Sequence, residues 1–548
     1  MKNDILKTRV ALVFFLLTYS LTFSQTYIRI NQIGFLPDDY KSAVILSNSD
    51  LSGYEYVVKH ISGKEENRGL IGNSTGSYGN FSSVYNIDFS TLNTLGCYFI
   101  QVGDYKSVKF EIGAKLYNSI VDSLLLFFKV QRCGYTSPYL HEICHIADAT
   151  SYIENGIEIK EQIDLTGGWH DAGDYTKFLN TTAFTTYMLL FAYEFDKQKF
   201  GFDNNKNNIP DILEEAKIGL DWLIRAAHNY KFVTQVQDED DQSVGWRMPE
   251  DDSLQFDRPA FIGIGKNLIG IFVATMSLAQ RIWKDELKYN QFANKCLTLA
   301  ENYYSIKDNV PDIASDGTGV YVDKSYEGKL ALGAIELFNS TQRPELLIDA
   351  KKYADSAKAD FWWSWGDVNS LAHYKLIEYD RNYITYLRKN LEHFVETSNQ
   401  TPFGRGVEVT WGTNHAILGV ALNEILYERV TNDKSFRNLA LLQRDYILGR
   451  NPWGVSYISN IGEASTKNLH HQVAYFREGK IPGALAAGPI PKIILKERNI
   501  EFESPDRFAK FQTDSLVYID DRMDYISNEP TISSNATAVF VFGYFSLR

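Results

Sequence analysis

The chain predicts a mainly α fold, a small all-β module followed by one large all-α domain. Three observations carry this expectation. Residues 26–112 fall into short apolar-rich runs, several of them alternating, divided by Gly, Asn, Ser and Asp clusters. From residue 115 onward the apolar period lengthens from two to about 3.6, the spacing of helices with one buried face. The segment AVFVFGYF beginning at Ala538 is apolar on nearly every face, so it reads as an inner helix packed on all sides.

Taken in order, residues 1–25 set Lys2, Lys7 and Arg9 ahead of an apolar run at 10–17 and a small-residue region ending near Ser24. That pattern predicts a signal peptide and an exported, periplasmic or extracellular protein. Cleavage near Ser24 or Gln25 leaves no cysteine at the new N-terminus, the first being Cys97, so no lipid anchor on cysteine is expected. No later apolar run is long enough to span a membrane. Runs at 27–33, 41–46, 54–60 and 97–102 predict a β-sandwich over 26–112. The remainder, 113–548, carries helical periodicity over 115–131, 181–196, 210–228, 265–283, 286–305, 327–340, 345–359, 366–377, 382–398, 412–430, 433–448 and 534–547. Periodicity alone makes this a large all-α domain.

The formal net charge of −13 argues against nucleic acid or an anionic membrane as partner, since both demand basic surfaces. A neutral polymer is compatible, and the 34 Tyr and 9 Trp offer faces on which sugar rings stack. Four cysteines, Cys97, Cys133, Cys144 and Cys296, are too sparse for a disulfide-dense scaffold.

Two segments carry the chemistry. Residues 167–178 read GGWHDAGDYTKF and residues 518–536 read YIDDRMDYISNEPTISSNA. Glycines around Asp171 and Asp174 let the backbone bend sharply and bring both side chains to one ligand. Glu529 precedes Pro530, which biases it to extended backbone on a loop before the last helix. Carboxylates on opposite faces of a scissile bond are what glycoside hydrolysis requires, one protonating the leaving oxygen and one activating water. Taken alone, an aspartate pair three residues apart is far more often a turn or helix cap, and a surface Glu before a helix is the ordinary alternative.

Both segments resemble the active-site signatures of glycoside hydrolase family 9, an inverting family with many endoglucanases. IRINQIGFLPDD with KSAVIL after it resembles the immunoglobulin-like module that precedes the catalytic domain in one branch of that family. The resemblance implies an (α/α)6 barrel catalytic domain behind an immunoglobulin-like sandwich. It also implies Asp174 as general base, Asp171 as the neighbour holding the attacking water, and Glu529 as general acid. The sandwich is expected to give structural support.

His141 to His145 reads HEICH, formally a zinc-protease pattern, but Gly134 and Pro138 precede it and its apolar periodicity is poor for the helix that pattern needs. Cys133, Cys144, His145 and His170 instead make a ligand set suited to a closed tetrahedral zinc, which the resemblance supports. A buried thiol pair or a Cys133–Cys144 disulfide is the alternative. The resemblance places a calcium site at 325–330, where this chain has SYEGKL; Gly328 and Lys329 remove anionic ligands and add a cation, so that site is expected to be lost. The acidic run 238–241 offers carboxylates to calcium but reads as a solvated loop. No organic cofactor is expected.

Residues 445–458, DYILGRNPWGVSYI, and the following His470 resemble the family's histidine signature, which makes His470 a sugar ligand at the cleavage site. Gln472 stands where relatives commonly have Arg, and Asn460 where they have Gly, so sugar contacts on that side must differ. Trp246, Trp363, Trp411 and Tyr525 are candidate sugar platforms, with Trp362 and Trp365 beside Trp363, and for any one Trp a place in the core is an equal alternative. The leading expectation is a monomeric secreted inverting endo-β-1,4-glucanase, cellulase-like, acting on cellulose-like, mixed-linkage or xyloglucan chains. Its rivals are an exo-acting β-glucosidase or glucosaminidase, an inactive glycan-binding protein, and a zinc protease.

Overall fold

The structure is a computed structural model that describes residues 25–314 and 321–547. The expected signal peptide therefore lies, but for Gln25, outside the described residues.

Strands Thr26–Arg29, Ser42–Ser47 and Ser83–Asp88 form one antiparallel sheet, with Ile45 opposite both Ile28 and Tyr85. A second sheet runs in the order Gly34–Phe35, Phe110–Ile112, Gly96–Val102, Glu55–His60, Glu65–Leu70. Between them Ala43, Ile45, Val58, Tyr98 and Ile100 pack into a core of their own. The central strand SAVILS of the first sheet is buried at every position. Its two faces explain why: Ala43 and Ile45 face the sandwich core, while Val44 and Leu46 join the main core of the helical domain. A strand covered on both sides reads as a continuous apolar run rather than an alternating one. The contact is also polar, because Arg444 pairs with Asp39 at 2.8 Å, and Gln32 bonds the carbonyls of Gly454 (3.1 Å) and Ala464 (3.0 Å) and the Ala464 amide (2.7 Å).

Among the described residues, twelve helices of eight residues or more follow: α1 Asn118–Gln131, α2 Leu179–Phe195, α3 Asp211–Ala226, α4 Lys266–Asp285, α5 Asn290–Ser305, α6 Glu327–Thr341, α7 Pro344–Ala357, α8 Asn369–Leu376, α9 Ile384–Asn399, α10 Thr413–Thr431, α11 Arg437–Ile447 and α12 Ile532–Phe545. They alternate in character. The even-numbered helices are buried on almost every face, α2 without interruption from Leu179 to Tyr193. The odd-numbered helices bury one stripe and expose the other. Neighbouring even helices touch in sequence and α12 closes the ring against α10 and α2, giving an inner ring of six inside an outer ring of six, the (α/α)6 barrel.

Helical periodicity concealed one feature. A mixed sheet in the order Ile157–Ile159, Ser151–Glu154, Pro259–Gly263, Lys231–Val236, Lys177–Phe178 sits at the N-terminal end of α2. Its last strand connects Asp174 to α2, so the sheet anchors the turn that carries the aspartates.

Candidate active site

The turn 170–178 is fixed at both ends. The Asp171 amide donates to the Thr176 carbonyl at 2.9 Å, and the Asp171 carbonyl accepts from the Ile532 amide, the first residue of α12, at 2.9 Å. Gln131, at the end of α1, donates to the carbonyls of His170 (3.1 Å) and Ala172 (2.6 Å). Gly173 lies against the chain at His470, where a Cβ would fall 2.2 Å from the His470 carbonyl oxygen. Its amide donates to Glu529 Oε1 at 3.1 Å and its carbonyl accepts from the Gln472 amide at 2.9 Å. One glycine thus joins the aspartate turn, the histidine segment and the glutamate.

Asp171 is fully buried, with Oδ1 accepting from the Thr181 hydroxyl. The Tyr321 phenol also favours its charged form, but at a geometry short of a complete hydrogen bond, leaving Oδ2 without one among the described residues. Burial raises the Asp171 carboxyl to about 6. Asp174 is half-buried and accepts from the Thr176 amide at 3.1 Å. Burial, then the charges of Asp241 and Asp171, raise it to about 7. Glu529 rises well above the ordinary glutamate value, through burial first and then the charge of Asp174, against the opposing Gly173 amide. Both Asp174 and Glu529 therefore hold their protons to higher pH than ordinary carboxyls.

His470 Nδ1 lies 2.7 Å from the Arg522 carbonyl, so it carries the proton and donates. Burial holds the ring below its usual pKa, which leaves a neutral imidazole with Nε2 as an acceptor. Around it runs a row of rings: Tyr475 stacks on Trp246 at 4.9 Å, Trp246 meets His470 at 5.1 Å, His470 meets Tyr525 at 5.9 Å, and Tyr525 meets Trp411 at 5.9 Å. Trp411 is 43% exposed. Tyr475 was not expected, since a single tyrosine in a short helix gives no signal in sequence.

Trp363 is a correction. Its ring is 1% exposed, lies against Gly419, and donates from Nε1 to Thr537 (3.1 Å) and toward His415 (3.2 Å). It locks α10 to α12 and has no face left for a sugar. The tryptophan of that segment that reaches toward the aspartate turn is Trp365, 5.2 Å from Tyr321. Gln472 is likewise spent on protein, its Oε1 accepting from the Arg247 amide at 2.8 Å and its amide donating to the Gly245 carbonyl at 3.3 Å. It holds the loop that presents Trp246.

Cys133, Cys144, His145 and His170 converge, with ligand atoms all within 4.8 Å of one another and every residue buried. Cys133 Sγ is 3.9 Å from Cys144 Sγ and 3.7 Å from His145 Nδ1, and His145 Nδ1 is 3.1 Å from His170 Nε2. Tetrahedral zinc with Zn–S of ~2.3 Å and Zn–N of ~2.0–2.1 Å sets its ligands roughly 3.3–3.8 Å apart, so donor type and spacing fit that ion. The cysteines are free thiols, not a disulfide. The Asp252 carboxylate, 2.9 Å from His145 Nε2, accepts the hydrogen bond of a proton held on that nitrogen, which leaves the Nδ1 lone pair facing the cluster. HEICH is not helical, and His141 points its ring nitrogens at the carbonyls of Glu142 and Val130. In the segment compared with a calcium site, the buried Lys329 ammonium pairs with Asp323 at 2.6 Å.

An (α/α)6 barrel that gathers three carboxyls of raised pKa beside a row of partly exposed rings defines a glycoside hydrolase. Residues 117–542 match the model of glycosyl hydrolase family 9, and residues 24–107 match that of the cellulase N-terminal ig-like domain. The chain belongs to glycosyl hydrolase family 9. It is 28% identical over 488 residues to endoglucanase D of Acetivibrio thermocellus, covering 81% of this chain and 74% of that protein. It is 25% identical to a xyloglucan-specific endo-beta-1,4-glucanase of Bacteroides ovatus, covering 93% and 92%. Among solved structures, a metagenome-derived glycoside hydrolase family 9 endoglucanase superposes with a TM-score of 0.81 at 25% identity, covering 95% of this chain and 99% of that one. No helix among the described residues is long and apolar enough to cross a membrane.

Proposed function

We propose that the chain is an exported, inverting β-1,4-glucanase, with cellulose-like, mixed-linkage or xyloglucan chains as substrate. The observation that supports this best is the Gly173 junction, which sets Glu529 against the turn of Asp171 and Asp174 while burial and neighbouring charge raise the pKa values of all three. Asp171 and Asp174 hold a water beneath the anomeric carbon. As that water attacks, Asp174 takes its proton, the bond from C1 to the glycosidic oxygen breaks, and Glu529 gives its proton to the departing oxygen. Exchange with solvent then returns a proton to Glu529 and removes one from Asp174. No sugar–enzyme bond forms, and the product carries the opposite anomeric configuration. His470 accepts from a sugar hydroxyl through Nε2, and Trp411, Tyr525 and Trp246 with Tyr475 carry neighbouring rings.

Zinc on Cys133, Cys144, His145 and His170 would supply rigidity, tying the end of α1 and the 138–148 loop to the aspartate turn. The test is reducing-sugar release from a panel of soluble β-glucans, wild type against Glu529→Gln, with the first-formed anomer read by NMR. Release of the α-anomer that falls by at least about 100-fold in the variant supports the assignment. Release that survives Glu529→Gln, or a β-anomer formed first, overturns it.

A further inference from the structure

We propose that Arg247 is a positioning residue that holds the metal-type cluster, the Asp174 turn and the Trp246 platform in one working geometry. Its guanidinium reaches in two directions. Nε donates to Asp252 Oδ1 at 2.7 Å and Nη2 to Asp252 Oδ2 at 3.2 Å, and the same Oδ2 accepts from His145 of the cluster. Nη2 also donates to Asp241 Oδ1 at 2.6 Å, and Nη1 to the Asp241 and Gly245 carbonyls, each at 3.1 Å. Asp241 Oδ2 in turn accepts from the Tyr175 amide at 3.0 Å, one residue beyond Asp174.

The main chain of Arg247 completes the junction. Its amide donates to Gln472 at 2.8 Å, its carbonyl accepts from the Tyr175 hydroxyl at 2.6 Å, and its guanidinium lies 5.0 Å from the Tyr175 ring centre. Trp246 is the adjacent residue, so rotation of this backbone moves the platform. Geometry requires an arginine: a lysine places one nitrogen where the planar fork places three, and cannot serve both carboxylates and both carbonyls. Arg258 lies beneath, with Nη1 3.8 Å from both Asp241 and Asp252, so removing the Arg247 charge does not leave the two carboxylates without a cation. A folded variant is therefore expected.

The kinetic arm of the test rests on the glucanase reading; hydrogen exchange does not. In Arg247→Lys, amide exchange in peptides spanning Tyr175 and residues 240–248 should accelerate, zinc content should stay at the wild-type ratio, and kcat on a soluble mixed-linkage β-glucan should fall by about 30-fold or more. The acid limb of the pH–rate profile should hold in Arg247→Lys and move to higher pH in Arg247→Met. The groups that face Asp174 are Asp171, Asp241, Glu529 and the Tyr321 phenol, and of these Asp241 alone loses a partner. Unchanged exchange at Tyr175 in folded Arg247→Lys overturns the proposal, as does a loss confined to thermal stability with kcat and pH profile intact. Wild type that releases sugar from no glucan would sink the glucanase reading instead, and exchange would still decide the role of Arg247.

Discussion

Gly173→Ala puts the junction at the centre of the site to a direct test. Gly173 has no left-handed backbone to strain, so the effect of a methyl group is steric alone. The added Cβ would meet the His470 carbonyl oxygen at 2.2 Å, the His470 carbonyl carbon at 3.0 Å and His471 Cα at 3.1 Å, all main-chain atoms that cannot rotate aside. Restoring ordinary contact opens the two segments by about 1 Å. That opening breaks the hydrogen bonds from the Gly173 amide to Glu529 and from the Gln472 amide to the Gly173 carbonyl, each worth ~1 kcal/mol net, on top of an overpacking cost of ~1–3 kcal/mol. A loss of roughly 3–5 kcal/mol follows. Because the acid and the base then separate by about the same distance, kcat should fall by about 100-fold at temperatures where the variant remains folded. Denaturant titration gives the first number and initial rates on a soluble β-glucan the second, with Gly72→Ala, whose Cβ meets nothing within 4 Å, as a neutral control. Gly173→Ala with more than a third of wild-type kcat would show that the junction does not set the acid–base geometry.

The pH–rate profile should be a bell whose lower limb lies near 7, where Asp174 loses its proton, and whose upper limb marks loss of the proton from Glu529; a plateau extending down to pH 5 would contradict the base assignment. Both carboxyls lie above their unfolded values, so the native state binds more protons than the unfolded state, and stability is complete below the ordinary carboxylate range and declines as pH rises through the folded values. Asp174→Asn should therefore melt higher than wild type at pH 8 and close to it at pH 4, and calorimetry showing the reverse order would refute this. Chelation of the purified protein should lower Tm first, with activity falling as structure is lost; loss of activity at an unchanged Tm would make the metal a participant in chemistry. Trp411→Ala should raise KM by about 10-fold with kcat little changed, whereas Trp363→Ala should cost ~3–5 kcal/mol of stability, because one ring is exposed and the other is core.

The helices were legible in sequence because their apolar residues keep a period near 3.6, and α12 alone was legible as an inner one, because its apolar residues cover nearly every face. The sheet beside α2 was not, since Lys177–Phe178 is two residues long and KFVTQV is buried at five positions without alternating. Residue type pointed to the Cys and His cluster that the fold brings together from Cys133 to His170, because few side chains bind metal. Charge misled at Asp241: an acidic run reads as solvated, yet this member is fully buried against Arg247. Trp363 and Trp411 show the same limit for aromatics, whose chemistry is written in the residue type while their exposure depends on what folds over them.

The helix that closes the barrel, α12, follows every other barrel helix along the chain, and Glu529 lies three residues before it. During synthesis, Asp171, Asp174 and the Cys and His cluster all emerge hundreds of residues before Glu529 does. Until the apolar segment of α12 is inserted between α2 and α10, the inner ring has a gap and the Asp171 carbonyl lacks the Ile532 amide. With Glu529 as the proposed acid, a growing chain is not expected to hydrolyse a glycosidic bond, and truncation before residue 529 removes both that carboxyl and the closing helix. Catalytic competence and completion of the fold arrive together, in the same short stretch of polypeptide.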